Sequence, residues 1–185
     1  MNHASPLGPR LETERLLLRP PVASDFDRWA EFCADPIVTK HLGGVQPRAL
    51  AWRTMATMTG AWSLRGYSMF SVIEKRTGLW IGRLGPWFPE GWPGTEVGWG
   101  LMRSAWGQGY AQEGSAAAID WALDHLGWTE VIHTIGPGNV ESQKVAERLG
   151  SRLLGPGNLP APFDHLPVQL WGQDKKAWQS RRTTP

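Results

Sequence analysis

Residues 104–114 read SAWGQGYAQEG and follow the alternating apolar run EVGWGLM at 96–102, so a strand gives way to a helix across two glycines. The first amides of a helix have no partner within it and lie at the positive end of its dipole, which suits such a junction to holding an anion. Gly107 and Gly109 lack a Cβ; they let a phosphate approach the backbone and let the chain take positive φ. The stretch is therefore built to cradle a pyrophosphate, or else it is simple punctuation, as most glycines are in a chain holding 22 of them. Two other phosphate loops are excluded, because neither GxxxxGKS/T nor GxGxxG after the first strand is present.

A second polar cluster lies downstream at NVES (139–142). Asn139 and Ser142, three residues apart at a helix start, suit a polar ligand; an N-cap beside a helix-surface serine accounts for the same pair. The one cysteine, Cys33, excludes an internal disulfide and reads as a small buried thiol. No His, Cys or carboxylate cluster has metal-ligand spacing, so no metal is expected.

The elements that must position these residues follow from pattern. RLLLRP (15–20) reads as a strand, and SDFDRWAEFCAD (24–35) as a helix capped by Ser24 or Asp25. Residues 48–66 have helical spacing with Leu50, Met55, Met58 and Trp62 facing inward. YSMFSVIEK (67–75) and LWIGRLGPW (79–87) form a hairpin across Arg-Thr-Gly, and the aromatic loop WFPEGWPGT leads into the strand 96–102. A helix over about 110–126 turns Ala118, Ile119, Ala122, Leu123 and Leu126 inward and stops at Gly127. A strand at 130–135, a helix from Asn139 to Gly150, and paired strands at 151–155 and 165–172 complete one α+β unit without internal repeat or linker.

Composition sets the outer bounds. A chain of 185 residues with 41% apolar and 19% charged residues suits one soluble globular domain. A net charge of +2 without blocks of like charge argues against direct nucleic-acid binding, and Arg181-Arg182 reads as a solvated tail. No apolar run is long enough for a membrane span, and the polar start MNHASPLGPR lacks the core of a secretory signal, so a cytoplasmic location is expected.

Taken in order, EVGWGLMRSAWGQGYAQEGSAAAIDWALDHLG and NVESQKVAERLG resemble the GNAT superfamily of acetyl-CoA-dependent N-acetyltransferases, most closely its RimJ/RimL-like branch, which acetylates N-termini of ribosomal proteins. ETERLLLRP, the loop around HLGG and VIEKRTGLWIG match that branch's opening strand, helical connection and first hairpin, so the resemblance covers roughly residues 11–172. It implies a mixed, mostly antiparallel sheet flanked by helices and splayed between the strands at 96–102 and 130–135. It also implies acetyl-CoA as cosubstrate. The backbone of Leu101, Met102 and Arg103 would pair with the pantetheine arm, Gly107, Gln108, Gly109, Tyr110, Ala111 and Gln112 would receive the pyrophosphate, and Asn139 and Ser142 would reach the arm near its thiol. The superfamily's Gln or Arg three residues before the first loop glycine is here Ser104, with Arg103 one step earlier.

An amine attacking a thioester needs a free lone pair, donors for the oxyanion and a proton for the departing thiolate. Relatives carry a carboxylate at the place of Glu96, which makes it the expected base unless it is a solvent-facing strand residue; Glu74 and His133 are substitutes, and His41 lines the acceptor groove. The tyrosine many GNAT enzymes use as acid is here Ala146, and Ser142 takes its place. The acceptor is expected to be a protein or peptide α-amine. A small-molecule amine enzyme and a coenzyme A-binding sensor without turnover are the alternatives. The Trp-rich loop 87–92 is assigned to acceptor shaping, core cover or a homodimer contact.

Overall fold

The computed structural model describes residues 7–182, so the polar start at 1–6 lies outside it. Eight strands form one sheet in the order β1-β2-β3-β4-β5-β6-β8-β7. They are β1 (Leu11–Glu12), β2 (Leu16–Arg19), β3 (Phe70–Glu74), β4 (Trp80–Trp87), β5 (Glu96–Leu101), β6 (Glu130–Ile135), β7 (Arg152–Gly157) and β8 (Val168–Asp174). Every neighbouring pair is antiparallel except β5 and β6. The expected mixed, splayed α+β architecture is present.

Six helices accompany the sheet among the described residues: α1 (Phe26–Ala34), α2 (Pro36–Thr39), α3 (Arg48–Arg65), α4 (Tyr110–His125), α5 (Val140–Leu149) and α6 (Lys175–Arg182). Alternation along the strands divides the core in two. Leu16, Leu18, Phe70, Val72, Leu84, Val97 and Leu101 face α4. Ile73, Trp80 and Met69 pack with Trp29, Phe32 and Met55 of α1 and α3 on the other side. None of these helices is long and apolar enough to cross a membrane.

Several local expectations change. Asp25 is the N-cap of the first helix but makes no side-chain cap bond to it, and Ser24 lies inside a 3-10 turn, Ala23–Asp25, that leads into it. The buried Asp25 carboxylate instead takes two bonds from Arg19, both at 2.7 Å, and one from Ser71 Oγ, tying β2 and β3 to the entry of α1. Leu50 points outward at 43% exposure, whereas Met55, Met58 and Trp62 are buried. A helix with threonines and arginines on both sides has too weak a stripe to fix its rotation locally. The basic tail is also ordered: α6 buries Trp178, and Arg181 donates to the Arg148 carbonyl at 2.7 Å.

The helix that carries the glycine loop sits close to the sheet. Ala118, Ile119 and Ala122 are fully buried, and the small alanines let α4 approach the strands. At Gly114 an added Cβ would lie 2.6 Å from Leu84 Cδ2. Gly114→Val should lower the unfolding free energy by about 1–3 kcal/mol in urea titration, through overpacking of this contact; an unchanged midpoint would show that the helix does not need this close approach.

Candidate active site

Parallel strands β5 and β6 share one register position, Glu96 with Ile132, and one adjoining bond from Ile132 N to Thr95 O at 2.9 Å. By contrast β4 and β5 pair at six positions from Gly82–Leu101 to Trp87–Glu96. Beyond Glu96 the inner edges of β5 and β6 therefore run on without a ladder between them, and each strand leads to the N-terminus of a helix. Trp99 stands beside this opening, its ring 4.8 Å from that of His133 and its Nε1 donating to Ser142 Oγ at 3.3 Å. Asn139 caps α5, its Oδ1 accepting from Ser142 N at 3.2 Å.

The glycine loop closes the far end. Met102 N donates to Ile81 O at 2.8 Å, and Arg103–Ala105 form a 3-10 turn. Trp106 Nε1 donates to Leu101 O at 2.8 Å, while the Gln108 side chain donates to Ser104 O at 3.0 Å. Gly107 and Gly109 take φ of 73° and 79°, which only glycine adopts without strain. Space around the Cβ position of Gly107 is open to 4 Å, and Gly109 is the N-cap of α4 without a side-chain cap bond. Glu113 N donates to Gly109 O, so the amides of Tyr110, Ala111 and Gln112 precede the helical ladder. This cradle fits a diphosphate: open glycine backbone, uncapped amides and the positive end of a 16-residue helix.

Bonds from behind hold the loop in shape. Arg15 donates to the Gln108 carbonyl at 2.9 Å and pairs with Glu113, its guanidinium 4.6 Å from the Tyr110 ring centre. Tyr110 donates its hydroxyl to Glu74 at 2.7 Å. Arg103 turns toward Asp35 at 3.9 Å, on the α1–α2 side.

Glu96 lies on the opposite face of β5 from Val97 and Leu101 and is 5% exposed. Its Oε1 accepts from Thr134 N at 3.2 Å, its Oε2 accepts from Trp92 Nε1, and the single Thr134 hydroxyl proton is shared between the two oxygens, Oγ1 lying 3.0 Å from each. A carboxylate has about four acceptor positions, so three donors leave room for one more proton. Burial pushes the Glu96 carboxyl up to about 7 against these bonds, which favour the charged form. Glu96 is thus not a solvent-facing strand residue.

The other candidate bases stand elsewhere. His133 is buried on the α4–α5 face, where burial pulls it down to about 4. Its Nδ1 lies 2.7 Å from the Val97 carbonyl, which can only accept, so Nδ1 carries the proton and Nε2 accepts from Ser151 Oγ at 2.9 Å. Glu74 sits behind the glycine loop, where the Thr77 and Tyr110 hydroxyls hold its carboxyl below the usual range. His41 reaches over the turn after β6, 3.6 Å from where a Gly136 Cβ would lie.

Thr134, Trp92 and Arg83 escape the sequence reading. Trp92 stands four residues before Glu96, in an aromatic loop whose aim toward a carboxylate no local pattern reveals. Thr134 reaches Glu96 only through the β5–β6 pairing. Arg83 shares the Glu96 face, with the Nε of its guanidinium buried and without a hydrogen-bond partner. No group of three His, Cys, Asp or Glu among the described residues could hold a metal ion.

Residues 15–152 match the acetyltransferase (GNAT) domain family. The uncharacterized N-acetyltransferase p20 of Bacillus licheniformis is 32% identical over 142 residues, 75% of this chain and 80% of that protein. The uncharacterized protein YkkB of Bacillus subtilis is 36% identical over 87 residues, so this chain spans about half (51%) of that relative. Among solved structures, an acetyltransferase from Agrobacterium tumefaciens str. C58 superposes with a TM-score of 0.80 at 29% identity, covering 90% of this chain and 95% of that one. A structure described as a putative ribosomal-protein-serine acetyltransferase from Vibrio cholerae shares the fold at TM-score 0.73 and 19% identity, over 89% and 97% of the two chains.

The raised Glu96 carboxyl has a stability consequence. Between about pH 4.5 and 7 the native state holds a proton that the unfolded state has released, so this group's contribution to stability falls as pH rises through that window. Glu96→Gln removes the charge that must be buried, so its effect on stability should be more favourable at pH 8 than at pH 5 by on the order of 3 kcal/mol. Urea titrations at pH 5 and pH 8 check this, and an equal effect at both pH values would contradict it.

Proposed function

The chain belongs to the acetyltransferase (GNAT) family, and from that premise we propose that it transfers the acetyl group of acetyl-CoA to a primary amine, the N-terminal α-amine of a protein or peptide. The observation that carries the reading is the Glu96 carboxyl, poised near neutrality at about 7 beside the opening between β5 and β6. A base with that affinity is part ionised at neutral pH and still takes a proton from an ammonium group on its way to attack.

Acetyl-CoA supplies the activated acyl thioester; the chain supplies position, a base and a proton. Amides from Gly107 to Gln112 receive the diphosphate, while Leu101, Met102 and Arg103 align the arm along β5. Glu96 takes the amine proton, and its carboxylate is kept in place by Thr134 and Trp92. Ser142 gives a proton to the leaving sulfur, with Trp99 fixing its hydroxyl. Asn139 serves by capping α5 and holding the Ser142 backbone. Holding both reactants in one cleft accounts for most of the rate.

The choice of an α-amine is supported by the order and spacing of the two motifs and by the shared fold of the Vibrio cholerae protein. A small-molecule amine is the second reading. It is favoured by the β7–β8 loop lying against the segments before β5 and α3, with Pro160 close to Gly91 and Phe163 close to Gly43.

Release of free thiol from acetyl-CoA against a panel of peptides and amines tests the proposal. The rate should rise with pH through about 7 and then level off. Glu96→Gln should lower kcat about 10²–10⁴-fold and flatten that profile, and Ser142→Ala should cost about tenfold, since a coenzyme thiolate is already a fair leaving group. Coenzyme A binding without release for any acceptor would replace the enzyme with a non-catalytic coenzyme A-binding protein.

A further inference from the structure

Burying a guanidinium is costly unless an anion or several acceptors meet it. Arg19 finds Asp25, Arg15 finds Glu113, and Arg28 donates to the Trp80 carbonyl at 2.6 Å. Arg83 has no such partner: its Nη1 faces the sulfur of Met69, a weak acceptor, and no carboxylate stands within ion-pair distance among the described residues. Trp29 and Phe32 flank it, their ring centres 5.9 and 5.8 Å from its carbon centre. The side chain as a whole is only partly buried.

Register places Arg83 on the acceptor face. Arg83 pairs with Gly100 and Trp87 pairs with Glu96, so Arg83 and Glu96 project to the same side, with Gly98 between them. Gly98 and Gly100 give this stretch of β5 a floor of bare backbone. A Cβ at Gly98 would meet Met69 Cε at 2.9 Å and Glu96 Oε1 at 3.1 Å, and one at Gly100 would meet Phe32 Cζ at 2.9 Å. Met69, unbranched and adaptable, thus lies over the strip from Glu96 to Arg83 and is able to give way. One end of the strip takes an ammonium proton and the other presents an unpaired guanidinium, a pattern complementary to a zwitterion.

We infer that Arg83 is a specificity-determining residue that binds a carboxylate carried by the acceptor next to its amine. The inference rests on the acetyl-transfer reading and adds the acceptor's charge: a free amino acid, or a peptide whose first residue is acidic. A guanidinium fork holds a carboxylate with two parallel bonds, and it repels a polyamine.

Thiol release measured with L-alanine and L-alaninamide, and with C-terminally amidated peptides beginning in Glu or Gln, tests it. The wild type should favour the acid over its amide through KM, and whichever acid pair shows the preference, the free amino acid or the peptide, identifies the source of the carboxylate. Arg83→Met should weaken kcat/KM for the acid about 10- to 100-fold while leaving the amide within about threefold, and Arg83→Lys should fall between. Equal loss for acid and amide, or no acid preference in the wild type, would overturn the inference. Calorimetric titration of N-acetyl-L-glutamate into the coenzyme A-loaded protein gives an independent reading. Binding at least tenfold tighter to wild type than to Arg83→Lys supports the carboxylate site even if no acceptor is turned over, in which case the transfer reading alone fails. Equal affinities overturn the site.

Discussion

The site depends on β5 and β6 being joined at Glu96 and Ile132 and left unjoined beyond that point. Backbone amides and carbonyls inside a protein demand partners, and where this ladder stops early side chains meet some of them: His133 at the Val97 carbonyl, Trp106 at the Leu101 carbonyl and Glu96 at the Thr134 amide. Both strands then feed helices, so the amides of two helix starts lie at the same end as the open edges. On the proposed reading, a ligand whose extended arm ends on a diphosphate would use this place, the arm along β5 and the phosphates on the first turn of α4. Much of the surrounding structure holds this arrangement: Arg15 and Glu74 brace the loop from behind, and Trp99 bridges from β5 to Ser142.

Burial gives the two faces of the opening opposite chemistry. Glu96 and His133 are both buried, and burial disfavours the charged form of each, so the acid moves up to about 7 and the histidine down to about 4. The result is one group that exchanges protons near neutrality and one that stays neutral. His133 spends both ring nitrogens on Val97 and Ser151, whereas Glu96 keeps an acceptor position free.

How much of this could be read in advance follows the range of the interactions. Asn139, Gly127 and Gly150 mark helix ends through bonds to near neighbours in sequence, and the structure has helix boundaries at those places. The glycine loop and the splay of the sheet came from motif resemblance as much as from local physics. Asp25 reads as a helix cap and does stand at the N-cap of α1, whereas its ties to Arg19 and Ser71 are tertiary and have no local signature. For the same reason a single sequence cannot join Thr134 to Glu96 or reveal that Arg83 has no carboxylate within ion-pair distance among the described residues. Leu50 and α6 were missed because rotation of a weakly amphipathic helix and docking of Trp178 against Asp120 are settled by packing.

The most direct test of the account is a crystal structure of the protein with coenzyme A. The diphosphate oxygens should lie about 2.7–3.2 Å from amide nitrogens between Gly107 and Gln112, with the pantetheine arm along the inner edge of β5. A cofactor bound away from this loop, or an arm that does not enter the opening between β5 and β6, would contradict it.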